Sequence, residues 1–132
     1  MWRENPFTYV GTRAVTFDPG YDDVNRTLES LACSSGRNGV MKRYGWQTQG
    51  DIPHFPFIGG VEAVEGWNST NCGTCWGATF EGRRVYILAI DRTQTGINIA
   101  REAMDQLTGG EAVKLGRVFA DIVRVPAELC QA

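Results

Sequence analysis

The chain has 132 residues, 42% of them hydrophobic and 21% charged, which fits one globular domain long enough to bury a core. With 15 acidic against 13 basic residues its formal charge is −2, so it offers no basic field to a nucleic-acid backbone and nucleic acid is not an expected partner. No stretch approaches the ~20 consecutive apolar residues of a membrane-spanning helix, so membrane insertion is not expected either.

The opening segment MWRENPFTYVGTRA lacks an apolar run of signal-peptide type. Residues 1–14 read as an N-terminal extension or a foreign segment, and residues 15–132 as the domain. AVTF (14–17) alternates as a strand does, and DPGYDD (18–23) is dense in turn formers. From Asp22 or Asp23 as N-cap, a helix is expected through VNRTLESLACSSG, with Val24, Leu28, Leu31 and Ala32 on one face and Gly36 as its stop. A short strand is expected in GVMKRYGW (39–46), followed by an aromatic-rich loop, QTQGDIPHFPFIGG (47–60).

CWGATF (75–80) reads as a strand that turns at Glu81-Gly82 into VYILAI (85–90), an apolar run suited to burial on both faces. Asn98 is expected to cap a helix in IAREAMDQLTGG, with Ile99, Ala103, Met104 and Leu107 inward and Gly109-Gly110 as the stop. GRVFADIVRVP (116–126) is the last predicted strand, ended by Pro126. The order is mainly β with two short helices, and a closed barrel is the natural architecture for five or six strands.

NCGTCW places Cys72 and Cys75 in a Cys-x-x-Cys pair. Zinc would need a second close pair or nearby histidines, but His54 is the only histidine and Cys33 and Cys130 are far apart in sequence. A redox dithiol usually opens a helix, whereas a strand follows here. Structural disulfides remain, and four cysteines allow three pairings. Bridges suit an oxidising compartment, and the sequons Asn25-Arg-Thr27 and Asn68-Ser-Thr70 agree with secretion.

His54 stands in an irregular aromatic loop, and no nucleophile elbow accompanies it. Asp91 ends the apolar run, so it is either a turn acid for DRTQTG or a functional carboxylate set against a low-dielectric wall. A glycosidase would need a second carboxylate ~5 to 9.5 Å away, for which Asp18, Asp22 and Asp23 are candidates, and an inverting one would use Asp18 or Asp22, although nothing in the sequence pairs them with Asp91. Tyr21, Tyr44, Trp46, Trp67 and Trp76 could stack on sugars, although each ring taken singly is expected in the core, where large aromatics mostly lie. Of these, Tyr44 and Trp46 would share one face of a strand.

The segments VTFDPGYDD, LACSSG, RYGWQTQGDIPHFPFIGGVEAVEGW, NCGTCW, YILAID, GINIAREAMDQLTGG and GRV resemble the cerato-platanins, small secreted proteins of filamentous fungi, from about Val15 to Cys130. The resemblance implies a six-stranded double-psi β-barrel, similar to the first domain of expansins, with disulfides Cys33–Cys72 and Cys75–Cys130. Each would close a long loop, worth roughly 4 kcal/mol in the chain-entropy model. The family is found in fungal cell walls and culture fluid. It is described as binding chitin or N-acetylglucosamine oligomers, loosening cellulose or chitin without hydrolysis, and eliciting plant defence.

Asp91 falls on the family's motif acid tied to wall loosening, Asn98 lies in its G-x-N segment, and Asp18 would line the same groove. Tyr44 and Trp46 complete the expected sugar-binding set. A monomer without catalytic residues, metal or cofactor is expected, with polysaccharide and a plant receptor as partners. Phe17 stands where the family usually has Tyr, and Ser35 where Asn is common.

Overall fold

The computed structural model describes residues 8–131, and side chains from residue 10. Six strands, β1 (Thr8–Phe17), β2 (Ile58–Val61), β3 (Cys75–Phe80), β4 (Arg83–Arg92), β5 (Ile97–Ile99) and β6 (Arg117–Val125), close into a barrel in the order β1-β5-β2-β4-β3-β6. Pairs β1–β5 and β2–β4 are parallel and the others antiparallel. This is the double-psi barrel that the resemblance implied, with both disulfides in the implied pairing.

β1 begins at Thr8, earlier than the alternating AVTF segment, and runs antiparallel to β6 from Thr8↔Arg124 to Thr16↔Arg117. Residues 8–14, read above as extension, therefore belong to the barrel wall, while residues 1–7 lie outside the described part. β6 alternates as its sequence suggests, with Val118, Ala120 and Ile122 buried between exposed neighbours. β4 buries Ile87, Leu88, Ala89 and Ile90 completely, as a two-sided strand must. One of its faces is covered by helix α2 (Arg101–Thr108), which brings in Ala103, Met104 and Leu107.

Four local expectations are corrected. Residues 24–36 form no α-helix, only a 3-10 turn at Leu28–Ser30, because tertiary partners take the backbone donors. Leu28 donates to Gln47 O, Ala32 to Asp91, and Cys33 to Ile90 O, bonds an i→i−4 ladder would forbid. Val24, assigned to the buried face, is exposed. Residues 39–46 are not a strand: Val40–Tyr44 is a short helix, α1, ended by Gly45 in the left-handed region at φ 76°.

The supposed loop 47–60 ends inside β2, whose glycines hide its strand character. Finally, Asn98 lies in β5 and caps nothing. The cap position of α2 is Ala100, and the amides of Arg101 and Glu102 donate to the Asp22 carboxylate at 2.6 and 3.0 Å. A short helix, α3 (Ala112–Leu115), was not foreseen. No helix is long and apolar enough to cross a membrane among the described residues.

Candidate functional site

Asp91 is delivered by an irregularity in β4. Ile58 and Gly59 of β2 face Leu88 and Ala89, but the register then slips so that Gly60 faces Asp91 and Ile90 is passed over. Such a bulge re-aims one side chain, here setting a carboxylate where the alternation would place an apolar group. Across β2, Gly60 faces Asn98 of β5, which in turn faces Thr16 of β1. Thr16, Asn98, Gly60 and Asp91 thus form one transverse row over four strands, sharing a face. The neighbours Val15, Ile97, Ile99 and Ile90 are buried, so the row faces outward.

Gly60 is the floor of this row, and its lack of a side chain is required. A Cβ there would stand 2.9 Å from the Arg92 carbonyl oxygen and 3.2 Å from the Tyr21 hydroxyl. The Asp91 carboxylate is held from three directions. Oδ2 accepts from the Tyr21 hydroxyl at 2.8 Å, and Oδ1 accepts from the amides of Ala32 at 3.0 Å and Arg92 at 2.9 Å. A carboxylate offers about four lone-pair sites, so one is left for an incoming donor. Asn98 is held on its oxygen side, where Oδ1 accepts from Thr16 Oγ1 at 3.0 Å, leaving its amide donors to face outward.

Tyr21 is a core ring, as large aromatics mostly are, and what the sequence did not show is that its hydroxyl reaches the site. Burial, then the Asp91 charge and hydrogen bond, push its phenol far above the usual tyrosine range, with Arg26, 5.4 Å over the ring, opposing the rise. Asp18 caps the 3-10 turn Pro19–Asp22 that carries Tyr21, accepting from Gly20 N at 2.8 Å. Its negative charge adds to the Tyr21 shift, so both predicted carboxylates act on the same phenol. Gln49, fully buried, donates to the Gly20 and Asp23 carbonyls at 3.0 and 2.8 Å and fixes this turn from beneath. Nothing in the local sequence marks Gln49 for that role.

The other predicted pair, Tyr44 and Trp46, is together for a different reason from the one expected. Gly45 reverses the chain at the end of α1, and the rings stack at 4.3 Å and 19°. Arg43 links the Tyr44 hydroxyl to the Cys72 carbonyl, and of the five residues expected to bind sugar, Tyr44 and Trp46 take no part in the hydrogen bonds that hold Asp91, Asn98 and Asp18. Trp76 is buried with Nε1 donating to Thr74, and Trp67 is exposed.

Phe55 and Phe57 pack on the core and Ile58–Gly60 are buried in β2. His54 Nε2 lies 2.8 Å from the Tyr86 carbonyl, which makes that nitrogen the N–H donor and leaves no partnership with a nucleophile. Asn25 is exposed, whereas Asn68 is half-buried with its Oδ1 accepting from Asn38 N.

An apolar cavity of about 250 Å³, lined by Val61, Trp76, Ile97 and Ile122 with the Arg13–Glu62 ion pair, lies elsewhere and does not include Asp91. Within the row Thr16, Asn98 and Asp91 are half-buried, and Gly60 is buried beneath the Tyr21 hydroxyl.

The same barrel and chain order recur in known proteins. The cerato-platanin family model matches residues 13–132. A heat-stable 19 kDa antigen of Coccidioides immitis is 40% identical over 129 residues, spanning 95% of this chain and 88% of that protein. The crystal structure of cerato-platanin 2 from M. perniciosa superposes with a TM-score of 0.86 at 36% identity, covering 92% of this chain and all of that one. The solution structure of the fungal elicitor Cerato-Platanin gives a TM-score of 0.79 at 34% identity, covering 89% and 95% of the two chains. Barrel, disulfides and sequence agree over nearly the whole length, and the chain belongs to the cerato-platanin family.

Proposed function

We propose that this chain is a secreted, non-catalytic protein whose Asp91 row binds β-1,4-linked polysaccharide, either chitin and its N-acetylglucosamine oligomers or cellulose. The observation that carries this reading is the triply held Asp91 beside the bare Gly60 floor. A carboxylate that accepts from three donors at once is a fixed acceptor, suited to gripping a hydroxyl or amide of a sugar chain. Asn98 supplies donors from the opposite side of Gly60, so the strip can meet both kinds of polar group on a glycan.

Contacts of this kind are worth about 1 kcal/mol each net of water, so affinity per sugar is low and grows with oligomer length. A chain held along such a strip exchanges hydrogen bonds with the protein in place of its neighbours, a route to wall loosening without cleavage. Family kinship to a protein described as a fungal elicitor supports a role in triggering plant defence.

The test is an amide chemical-shift titration with N-acetylglucosamine oligomers of increasing length, beside cello-oligomers. Saturable shifts around Gly60, Asp91 and Asn98, weakened in Asp91→Asn, are expected. Soluble reducing sugar released from chitin or cellulose over time, and abolished by Asp91→Asn, would instead make the site catalytic.

A further inference from the structure

Where the two disulfides meet the Cys72–Cys75 segment lies a polar pocket of about 210 Å³ walled by Arg43, Arg124, Thr70 and Thr74 together with Cys72 and Cys75, sharing no residue with the Asp91 row. Two arginines line it, and among the described residues lining it none is acidic. In a chain of net charge −2, that is a local concentration of positive charge with a defined address.

Arg43 is held with unusual care for a surface arginine. Its Nη1 donates to the Cys72 carbonyl at 2.7 Å and reaches the Asn38 carbonyl at 3.5 Å, while Nη2 donates to the Tyr44 hydroxyl at 3.1 Å. The Tyr44 ring also lies under the guanidinium at 5.1 Å. Those contacts use three of the five N–H donors of the group and leave two. Gly73 makes the close seat possible: it adopts φ +80°, and a Cβ there would stand 2.8 Å from Arg43 Nη1.

Several other donors in the pocket are engaged. Gly73 N donates to Ala89 O, Thr74 N to Asn71 O, and the Thr74 hydroxyl donates to Asn71 O while accepting from Trp76. Among the described residues the charged donors lining the pocket belong to the arginines. Disulfides at Cys72 and Cys75 tether the wall to Cys33 and Cys130, so the pocket need not be ordered by its ligand.

We propose that Arg43 and Arg124 form a receptor for an oxyanion, the carboxylate or sulfate group that acidic polysaccharides carry. Arginine forks match such planar or tetrahedral oxygens with charge-assisted hydrogen bonds. The site is separate from the neutral-glycan row, and its ligand is anionic where the row's is neutral.

The test is an amide chemical-shift titration of the oxidised protein with an α-1,4-linked galacturonate tetramer, its neutral methyl ester and sodium sulfate. Saturable shifts at Thr70, Gly73, Thr74 and Val125 are expected with the galacturonate. They should weaken about tenfold in Arg124→Gln and also as salt rises from about 50 to about 200 mM. Asp91→Asn should leave them unchanged, which separates this site from the row. Sulfate binding as tightly as the tetramer would support the receptor and assign it to a free oxyanion, whereas tighter tetramer binding would support the glycan-borne form. Arg124 is exposed on β6, so its substitution should keep the fold, and unmoved amides elsewhere verify that. Equal shifts with the methyl ester, full binding by Arg124→Gln, or no saturable shift by about 10 mM of either anion would overturn the proposal.

Discussion

Replacing Asp91 with Ala removes the acceptor of three hydrogen bonds at once, and the cost follows from where each donor is left. The Tyr21 hydroxyl is buried, so losing its partner costs about 1–3 kcal/mol. The Ala32 amide is partly buried and falls toward the lower end of the same range, while the Arg92 amide is exposed and rehydrates. Relief from desolvating a charge offsets part of this, leaving a net destabilisation of about 3 kcal/mol.

Urea unfolding of the oxidised protein, followed by the fluorescence of buried Trp76, measures the change as a lower midpoint at constant slope. Tyr21→Phe alone should cost about 1.5 kcal/mol, and the double variant should fall short of the sum by about 1 kcal/mol, since both break one bond. The pH dependence adds a second check. Because the Tyr21 pKa is raised in the folded state, its contribution is complete below about pH 10, where an unfolded tyrosine begins to ionise, and is lost as pH rises beyond. Tyr21→Phe should therefore remove part of the alkaline loss of stability. Asp91→Ala within about 0.5 kcal/mol of wild type, or strict additivity with Tyr21→Phe, would refute the view of Asp91 as a clasp.

Gly60→Ala should destabilise by about 2 kcal/mol or more and weaken oligomer binding together, because its Cβ meets the Arg92 carbonyl and the Tyr21 hydroxyl; calorimetry beside the shift titration reads both. Asp22→Ala should cost about 1–2 kcal/mol by uncapping α2, and hydrogen exchange should quicken in the first turn at Arg101 and Glu102. Replacing Cys33 and Cys72 with Ser opens a loop of sequence separation 39 and should cost about 4 kcal/mol in the midpoint of urea unfolding.

Elements whose physics is local were legible from the chain. VYILAI could only be a strand buried on both sides, GRVFADIVRV alternates as a half-buried strand must, and Glu81-Gly82 joins CWGATF to its partner. The apolar positions Ala103, Met104 and Leu107 marked the buried side of α2, although its start was displaced because its cap comes from Asp22, far away in sequence. Leu28 and Leu31 were correctly expected to be buried, yet their spacing suits a helix as well as the irregular ribbon that forms. Periodicity reports which side chains leave water, and backbone donors claimed by Ile90, Asp91 and Gln47 decide the path.

The candidate site divides in the same way. The sequence by itself determined which residue types were present: a carboxylate at the end of an apolar run, an asparagine between isoleucines, four cysteines, and motifs specific enough to carry the family. Only the tertiary structure decided that Asp91 and Asn98 stand on either side of one bare glycine, since that depends on a register slip in β4 and on β2 pairing with strands from distant parts of the chain. It also brought the Tyr21 hydroxyl to Asp91, seated Arg43 beside a disulfide, and gave Asp22 to a helix across the molecule. Each of these is a contact between residues far apart in sequence, and local propensity carries no energy term for such a contact until the barrel has closed.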